Sequence, residues 1–195
     1  MERITMRRML LGISLSAISC FSFAMNWQVV NEDSKVSFIS IKKGDVAEVH
    51  RFNQLEGQLK SGAFTLSIPL TSVWTNVEIR DIRMKEILFE TAQYPNLTLK
   101  AELDDAAVES LAVGSVMPMS LQTEIALHGQ SKTMAVHVKV AKLATDKLFV
   151  VSDVPLLINA ADFGLTEGVE KLREIAGLTT ISQAVPVSFV LTLKR

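Results

Sequence analysis

Cysteine occurs once in the 195-residue chain, as Cys20, and tyrosine once, as Tyr94. A single thiol closes no intrachain disulfide and supplies no cysteine-rich metal site. Histidine is nearly as scarce: His50, His128 and His137 do not stand at the spacing of a metal-binding motif, and they read as ordinary exposed or hydrogen-bonded side chains. A Gly-x-Ser-x-Gly elbow and a phosphate-cradling glycine loop are both missing. Asp162-Phe163-Gly164 matches the magnesium-binding triplet of protein kinases, but neither a glycine-rich loop nor a His-Arg-Asp segment accompanies it, so the match is accidental. The paired carboxylates Asp104-Asp105 lie in a stretch that reads as a turn or short helix running to Leu111, and Asn96-Leu97-Thr98 fits a glycosylation sequon but starts a predicted buried strand, so that match is set aside as noise. With no catalytic constellation, the expectation is a protein that is not an enzyme and carries no cofactor.

Basic charge is also in short supply. The whole chain has 20 Lys plus Arg against 21 Asp plus Glu. Nucleic-acid binding calls for a clustered cationic face, and none is present. Pro/Gly-rich linkers, repeats and low-complexity tracts are absent, so nothing divides the chain after its first residues.

Those first residues are different in kind. Arg3, Arg7 and Arg8 precede an apolar run over 9–23, and Ser22-Phe23-Ala24 offers the small residues that a signal peptidase requires. The run is about 15 residues long and is interrupted by Ser14, Ser16 and Ser19, which is short for a membrane-spanning helix. Residues 1–24 are therefore expected to be a cleaved secretory signal, with the mature domain at 25–195 in the periplasm. Cleavage would remove three arginines and one glutamate from a chain of formal charge −1, leaving it near −3. It would also remove Cys20, unless Ala17-Ile18-Ser19-Cys20 serves as a lipoprotein signal and the cysteine is acylated and kept. Arg7-Arg8 raises the twin-arginine route, although the rest of that pattern is lacking.

What the mature chain has in quantity is strict alternation. Phe64, Leu66, Ile68 and Leu70 share one face; so do Met117, Met119, Leu121, Thr123, Ile125 and Leu127; so do Met134, Val136, Val138 and Val140; and Val185, Val187, Phe189, Leu191 and Leu193 close the chain. Each set is a period-two strand with one apolar face. Less regular strands are expected at 27–31, 35–42, 46–59 and 147–158, for about eight or nine in all, with hairpin turns at Lys60-Ser61-Gly62 and Gly129-Gln130-Ser131. A helix is expected over 166–176, with Thr166 capping its start, Val169, Leu172 and Ile175 or Ala176 on its apolar face and Gly177 as its stop. One or two helices inserted into an antiparallel meander predict a mainly β fold: a closed barrel of about eight strands, which leaves no exposed edges. The chain lacks an aromatic girdle and ends on Lys194-Arg195, so the apolar face should line the interior of a water-soluble barrel rather than meet lipid.

The stretch over 72–103 carries the most information. Thr75 and Glu78 have the spacing of a capping box, flanked by Trp74 and Ile79 at staple positions, so a helix is expected from Thr75 onward. Val77, Met84 and Leu88 form one apolar stripe, while Ile79, Ile82 and Phe89 point elsewhere. Asp81 is either paired with Lys85 at i,i+4 or a partly buried hydrogen-bond acceptor. Pro95 forces Tyr94 into an extended conformation, and Leu97, Leu99, Ala101 and Leu103 then alternate as a strand.

Taken in order, Ser72, Val73, Thr75, Arg80, Asp81, Phe89, Tyr94 and Pro95 resemble the YceI-like family of lipocalin-like periplasmic proteins. Phe52, Leu55 and Gly57 fit that family's Phe-x-x-Phe-x-Gly strand, with Leu55 in place of the second aromatic. His128-Gly129 and Lys132 fit its hairpin turn, and Asp162-Phe163-Gly164 its Asp-Phe-Gly corner. Arg51 stands where glycine is usual, and Asn159-Ala160-Ala161 lacks the family's arginine.

The resemblance implies a lipocalin-like barrel holding a long isoprenoid lipid, a quinone or a similar amphiphile along its axis. The inward candidates for such a site are Phe38, Phe52, Phe64, Leu66, Leu99, Met119, Leu121, Ile125, Val138, Phe163 and Phe189. The other reading left open is a structural or interaction module whose barrel is filled by these same side chains. An envelope-protein partner and a homodimer are compatible with either.

Overall fold

The computed structural model describes residues 26–195. The expected signal at 1–24, with Cys20, lies outside the described residues. Twelve strands form in chain order: β1 (Asn26–Val29), β2 (Lys35–Lys42), β3 (Val46–Phe52), β4 (Glu56–Lys60), β5 (Ala63–Pro69), β6 (Val73–Trp74), β7 (Asn96–Glu102), β8 (Val116–Leu127), β9 (Gln130–Ala144), β10 (Lys147–Ser152), β11 (Leu156–Asn159) and β12 (Ala184–Lys194). Among the described residues three α-helices interrupt them: α1 (Glu78–Arg83), α2 (Asp105–Ser110) and α3 (Thr166–Ile175). The expected strands at 46–59 and 147–158 are each broken in two, at 53–55 and 153–155.

Eight strands, β1-β4-β5-β7-β8-β9-β10-β12, pair antiparallel in a ring, and β12 returns to β1 through Gln28↔Lys194 and Val29↔Leu193. The registers put inward residues opposite inward residues: Leu59↔Phe64, Phe64↔Ala101, Ala101↔Thr123, Val140↔Val150 and Val150↔Leu191. A slip of one residue in any pair would turn a whole apolar set outward, so burial itself holds the register. The 11-residue β12 forks: its C-terminal half pairs with β10 and β1, and its N-terminal half with β2 and β11. Beyond the fork, β2-β3-β6 continue the sheet and the interior widens.

Two turns have positive φ at both central residues, Ser61-Gly62 (49° and 79°) and His128-Gly129 (51° and 72°), which suits the right-handed twist of tight hairpins. The second is one residue earlier than the expected Gly129-Gln130-Ser131, because β9 already begins at Gln130.

The capping box does not form. Asn76 takes a left-handed φ of 63°, which swings Thr75 away from the helix, and Val77 becomes the residue before the first turn with no side-chain cap. Thr75 instead donates both its amide (2.8 Å) and its hydroxyl (2.5 Å) to Oδ1 of Asp81, so the buried-acceptor reading of Asp81 holds and the Lys85 pairing does not. The staple fails too: Ile79 is 52% exposed, and the Trp74 ring lies under the Arg51 guanidinium at 3.9 Å. After α1 the helix widens into a π turn over Met84–Leu88. Met84 and Leu88 are buried as the stripe predicts and the extra residue of the π turn brings Phe89 in with them, while Val77, which precedes the helix, faces out at 44% exposure.

Helix α3 packs backbone to backbone on that π turn: a Cβ at Gly168 would stand 2.9 Å from the Ile87 carbonyl oxygen. Its start has no side-chain cap from Thr166, and Gly177, at φ 62°, closes its end. Asp104 caps α2 by accepting from the Ala106 amide at 2.9 Å, which gives that carboxylate a structural role.

Candidate functional site

The barrel interior contains two apolar chambers in line along its strands. The inner one, inside the closed ring, has a volume of about 80 Å³ and a lining that is almost wholly hydrocarbon. The outer one, on the widened side of the fork, has about 390 Å³, within the range typical of small-molecule sites. Successive inward residues pass from one to the other. On β12, Val185 and Val187 line the outer chamber, and Phe189, Leu191 and Leu193 the inner. On β8, Thr123 lines the inner chamber and Leu127 the outer, with Ile125 between them; Leu66, Ile68 and Leu70 repeat the pattern. Ile68 and Ile125, both buried, therefore mark the waist.

Most of the expected site residues fall into this arrangement. Phe64, Leu66, Leu99, Met119, Leu121, Val138 and Phe189 line the inner chamber, and Phe38 and Phe52 the outer. Ile125 belongs to the waist. Phe163 is completely buried in the turn before α3 but lines neither chamber.

The lids of the outer chamber are Met84, Leu88 and Phe89 from the π turn and Leu165, Val169 and Leu172 from α3 and its approach. An aromatic series runs down its wall, with Phe38 against Phe52 at 5.4 Å between centroids and Phe52 against Phe89 at 6.1 Å.

One end of this chamber is polar. The inward face of β2 reads Val36, Phe38, Ser40, Lys42, and that of β3 reads Phe52, His50, Glu48 toward the same hairpin. The pairings Val36↔Phe52, Phe38↔His50 and Ser40↔Glu48 align the two sequences, so polarity rises step by step along both strands. Glu48 receives Lys42 Nζ at 2.8 Å and Arg80 Nη1 at 2.7 Å. The hydrogen bond from Lys42, helped by the charge of Arg80, holds its carboxyl below the usual carboxylate range against the opposing effect of burial. Arg80 Nη2 donates to the Thr75 carbonyl at 2.7 Å, which ties this cluster to the Asp81 anchor. His50 is 2% exposed, and its Nε2 is 2.9 Å from Ser40 Oγ. Burial first, and the Arg80 charge second, push its pKa below that of a free imidazole. Sequence reasoning treated His50 as ordinary and passed over Ser40, Lys42 and Glu48. The available signal was the change from apolar to polar along one face of two adjacent strands.

Among the described residues no group of three or more metal-ligating side chains comes together, and no helix is long and apolar enough to cross a membrane.

A model of the YceI-like domain matches residues 27–193. The chain belongs to the YceI-like family. A polyisoprenoid-binding domain from Saccharophagus degradans, implicated in plant cell wall breakdown, is 39% identical, with a TM-score of 0.85 over 86% of this chain and 97% of that one. BcnA of Burkholderia cenocepacia (19% identity, TM-score 0.67, 84% of this chain and 98% of that one) shares the fold, as does the YCEI protein of Campylobacter jejuni (13%, 0.55, 75% and 84%). No curated protein matches.

In this YceI-like chain, motifs far apart in sequence meet at one place. The Tyr94 ring lies 4.4 Å from that of His128, and His128 Nε2 is 2.8 Å from Glu90. Lys132 reaches Asp162 at 2.5 Å, joining the hairpin turn to the Asp-Phe-Gly corner. A Cβ at Gly129 would stand 3.0 Å from Tyr94 Cε1, which accounts for glycine there beyond its positive φ. These residues build the container. The two departures are also accommodated: Arg51 stacks on Trp74, and Asn159 Oδ1 accepts from the Ala161 amide at 3.0 Å to cap the turn.

Proposed function

We propose that this protein is a non-catalytic periplasmic carrier that holds a long isoprenoid-type lipid in the barrel, its tail directed toward the inner chamber. The observation that carries the reading is the pair of aligned apolar chambers, in a chain 39% identical to a polyisoprenoid-binding domain. From Val185 to Leu193, β12 covers about 26 Å at ~3.3 Å per residue, enough length for a slender tail. Each buried methylene contributes about 0.8 kcal/mol without directional contacts, so affinity should grow with tail length and tolerate variation in it. The basic start and apolar run at 1–24 support export to the periplasm. A filled barrel acting as an interaction module would leave the 390 Å³ outer chamber unexplained.

The test is extraction of the purified protein with organic solvent and mass spectrometry of the extract, followed by uptake assays with added isoprenoids. A co-purifying or readily taken-up isoprenoid is expected. A protein that carries none and takes up none, squalene and quinones included, refutes the reading.

A further inference from the structure

The polar end of the outer chamber is where it reaches solvent. The side chains of Lys42, Glu48 and Arg80, which line that end, are 26%, 33% and 27% exposed, whereas Phe52, Met84, Leu88 and Phe89 on the walls are buried. Three short segments surround the opening: the β2–β3 hairpin with Lys42, α1 with Arg80 and Arg83, and the loop after α3 with Ala176, Leu178 and Ile181. The Lys43 amide donates to the Thr180 carbonyl at 3.0 Å and the Ser182 amide to the Ile41 carbonyl at 2.8 Å, which joins hairpin to loop. Arg80 joins α1 to the hairpin through Glu48 at 2.7 Å. The opening therefore has a continuous rim.

This rim carries aliphatic side chains that the fold leaves in water. Val46 on the hairpin, Val77, Ile79 and Ile82 at α1, and Ile175 at the end of α3 are each 38–52% exposed. On α1, Arg80 and Arg83 line the chamber, and Ile79 and Ile82, one residue earlier at the same i,i+3 spacing, form a separate stripe on the solvent side. Core packing does not account for that stripe, because Met84, Leu88 and Phe89 already supply the buried face. Single exposed aliphatics need no explanation, but a group of them around the opening of an apolar chamber marks an interaction surface. Among the described residues a second group, Val113, Val116 and Leu143, lies at the opposite end, beside α2, whose Val108 lines the inner chamber.

The charges of the rim select its partner. Over 42–48 and 77–83, Lys42, Lys43, Arg80 and Arg83 are matched by Asp45, Glu48, Glu78 and Asp81, and 175–182 holds no charge at all. The rim is thus neutral on a domain of formal charge near −3, so an anionic surface gains nothing by meeting it. A charged protein partner would find no net field to follow. Zwitterionic phospholipid heads fit: the long Lys43 and Arg83 stems can reach phosphate oxygens, and Asp45 and Glu78 can meet ammonium groups.

Resting on the lipid-carrier reading above, we propose that the rim is a membrane-docking surface, which seats the opening of the outer chamber on a zwitterionic phospholipid bilayer. Val46, Ile79, Ile82 and Ile175 enter the boundary between head groups and acyl chains, and lipid passes between bilayer and barrel without crossing water. Only a few partly exposed side chains are immersed, so binding is weak and reversible. That suits a carrier, which has to leave the membrane again.

The experiment sediments the purified, lipid-stripped protein with vesicles of phosphatidylcholine and phosphatidylethanolamine, and times the transfer of squalene from those vesicles into the protein. Wild type should co-sediment, and Ile79→Gln/Ile82→Gln should bind vesicles about tenfold more weakly and take up squalene about fivefold more slowly. Its equilibrium dissociation constant for squalene should stay within about twofold of wild type, because neither residue lines the chamber. Val46→Thr/Ile175→Gln tests the other two segments and replaces the α1 variant if that one does not fold. Val113→Gln/Leu143→Gln, at the opposite end, should leave both measurements unchanged. Replacing a third of the lipid with phosphatidylglycerol should strengthen binding by less than about twofold. Equal losses from the rim and far-end variants, or binding that requires phosphatidylglycerol, would overturn the assignment. If the wild type binds squalene but no vesicles, the docking surface fails and the carrier reading stands. If it binds vesicles through the rim but takes up no squalene, the carrier reading fails and the docking surface stands.

Discussion

Replacing Asp81 with alanine should destabilise the protein by about 3–4 kcal/mol, and the number can be built from one carboxylate oxygen. Oδ1 accepts from the Thr75 amide at 2.8 Å and from the Thr75 hydroxyl at 2.5 Å, and Thr75 is buried. Hydrogen bonds to a charged acceptor contribute about 1.5–3 kcal/mol each, and a buried amide left without a partner costs about 1–3 kcal/mol. The two bonds share one acceptor and do not simply add, which places the loss near 3–4 kcal/mol, or roughly 10 °C in melting temperature for a chain of this size. Asp81→Asn keeps an oxygen at the same place and should cost only about 1 kcal/mol. Thr75→Val removes the hydroxyl but leaves the amide, and should cost about 1–2 kcal/mol. Urea denaturation of the wild type, the three single variants and the Thr75→Val/Asp81→Ala double variant gives the cycle directly, with a coupling of about 1.5 kcal/mol expected. If Asp81→Ala melts within 2 °C of wild type, or if Asp81→Asn is as damaging as Asp81→Ala, then the carboxylate does not anchor this corner. The same variants bear on the site, because Arg80 donates to the Thr75 carbonyl and is itself part of the chamber wall.

Two further outcomes are expected. Burial holds the folded pKa of His50 below the ordinary imidazole value of about 6.5, so the unfolded chain binds its proton first as pH falls; its stability contribution is complete above about pH 6.5 and is lost as pH drops from there through the lowered folded value. Arg80, Lys42, Glu48 and Asp81 are the charged groups acting on it; denaturation at pH 7 and pH 5.5 should show a loss of up to about 1.4 kcal/mol per pH unit that His50→Gln flattens, and identical slopes in the two proteins would contradict this. Leu121→Phe should narrow the inner chamber at a cost of about 1–2 kcal/mol by overpacking, weakening squalene several-fold in equilibrium dialysis while sparing a ubiquinone with two isoprene units; equal losses for both would place the long tail elsewhere.

The sheet was legible because alternation is a local signal that tertiary packing has no reason to override: every strict apolar/polar run became a strand with its apolar face inward. Breaks in the less regular runs were not legible, since they depend on where partner strands stop. The capping box at Thr75 failed for a single backbone reason, the left-handed Asn76, which also left Val77 ahead of α1 and off the stripe that Met84 and Leu88 keep, while the π turn adds Phe89 to that buried face. Neither leaves a mark in spacing alone. The apolar site residues could be read from periodicity, whereas the chambers could not, because a cavity is a difference between enclosed volume and side-chain volume. The polar end was hidden differently. Ser40, Glu48 and His50 look like ordinary residues of two half-buried strands until the register pairs Phe38 with His50 and Ser40 with Glu48.

The fork in β12 connects these observations. A ring of eight strands has an interior just wide enough for side chains or one slender ligand, and the inner chamber, confined to that ring, is accordingly small. Where β12 leaves β1 and β10 for β2 and β11, additional strands enter the wall and the lumen enlarges. One of them, β2, and the β3 it pairs with are also the strands whose inward faces turn polar. Width and polarity therefore increase in the same direction, set by a single change of strand partners. An amphiphile entering tail first meets rising hydrophobicity and falling diameter, and one entering head first would bury its oxygens among hydrocarbon with nothing to receive them. For the proposed lipid carrier, the change of strand partners in β12 therefore predicts a tail-first orientation before any residue-specific contact is considered.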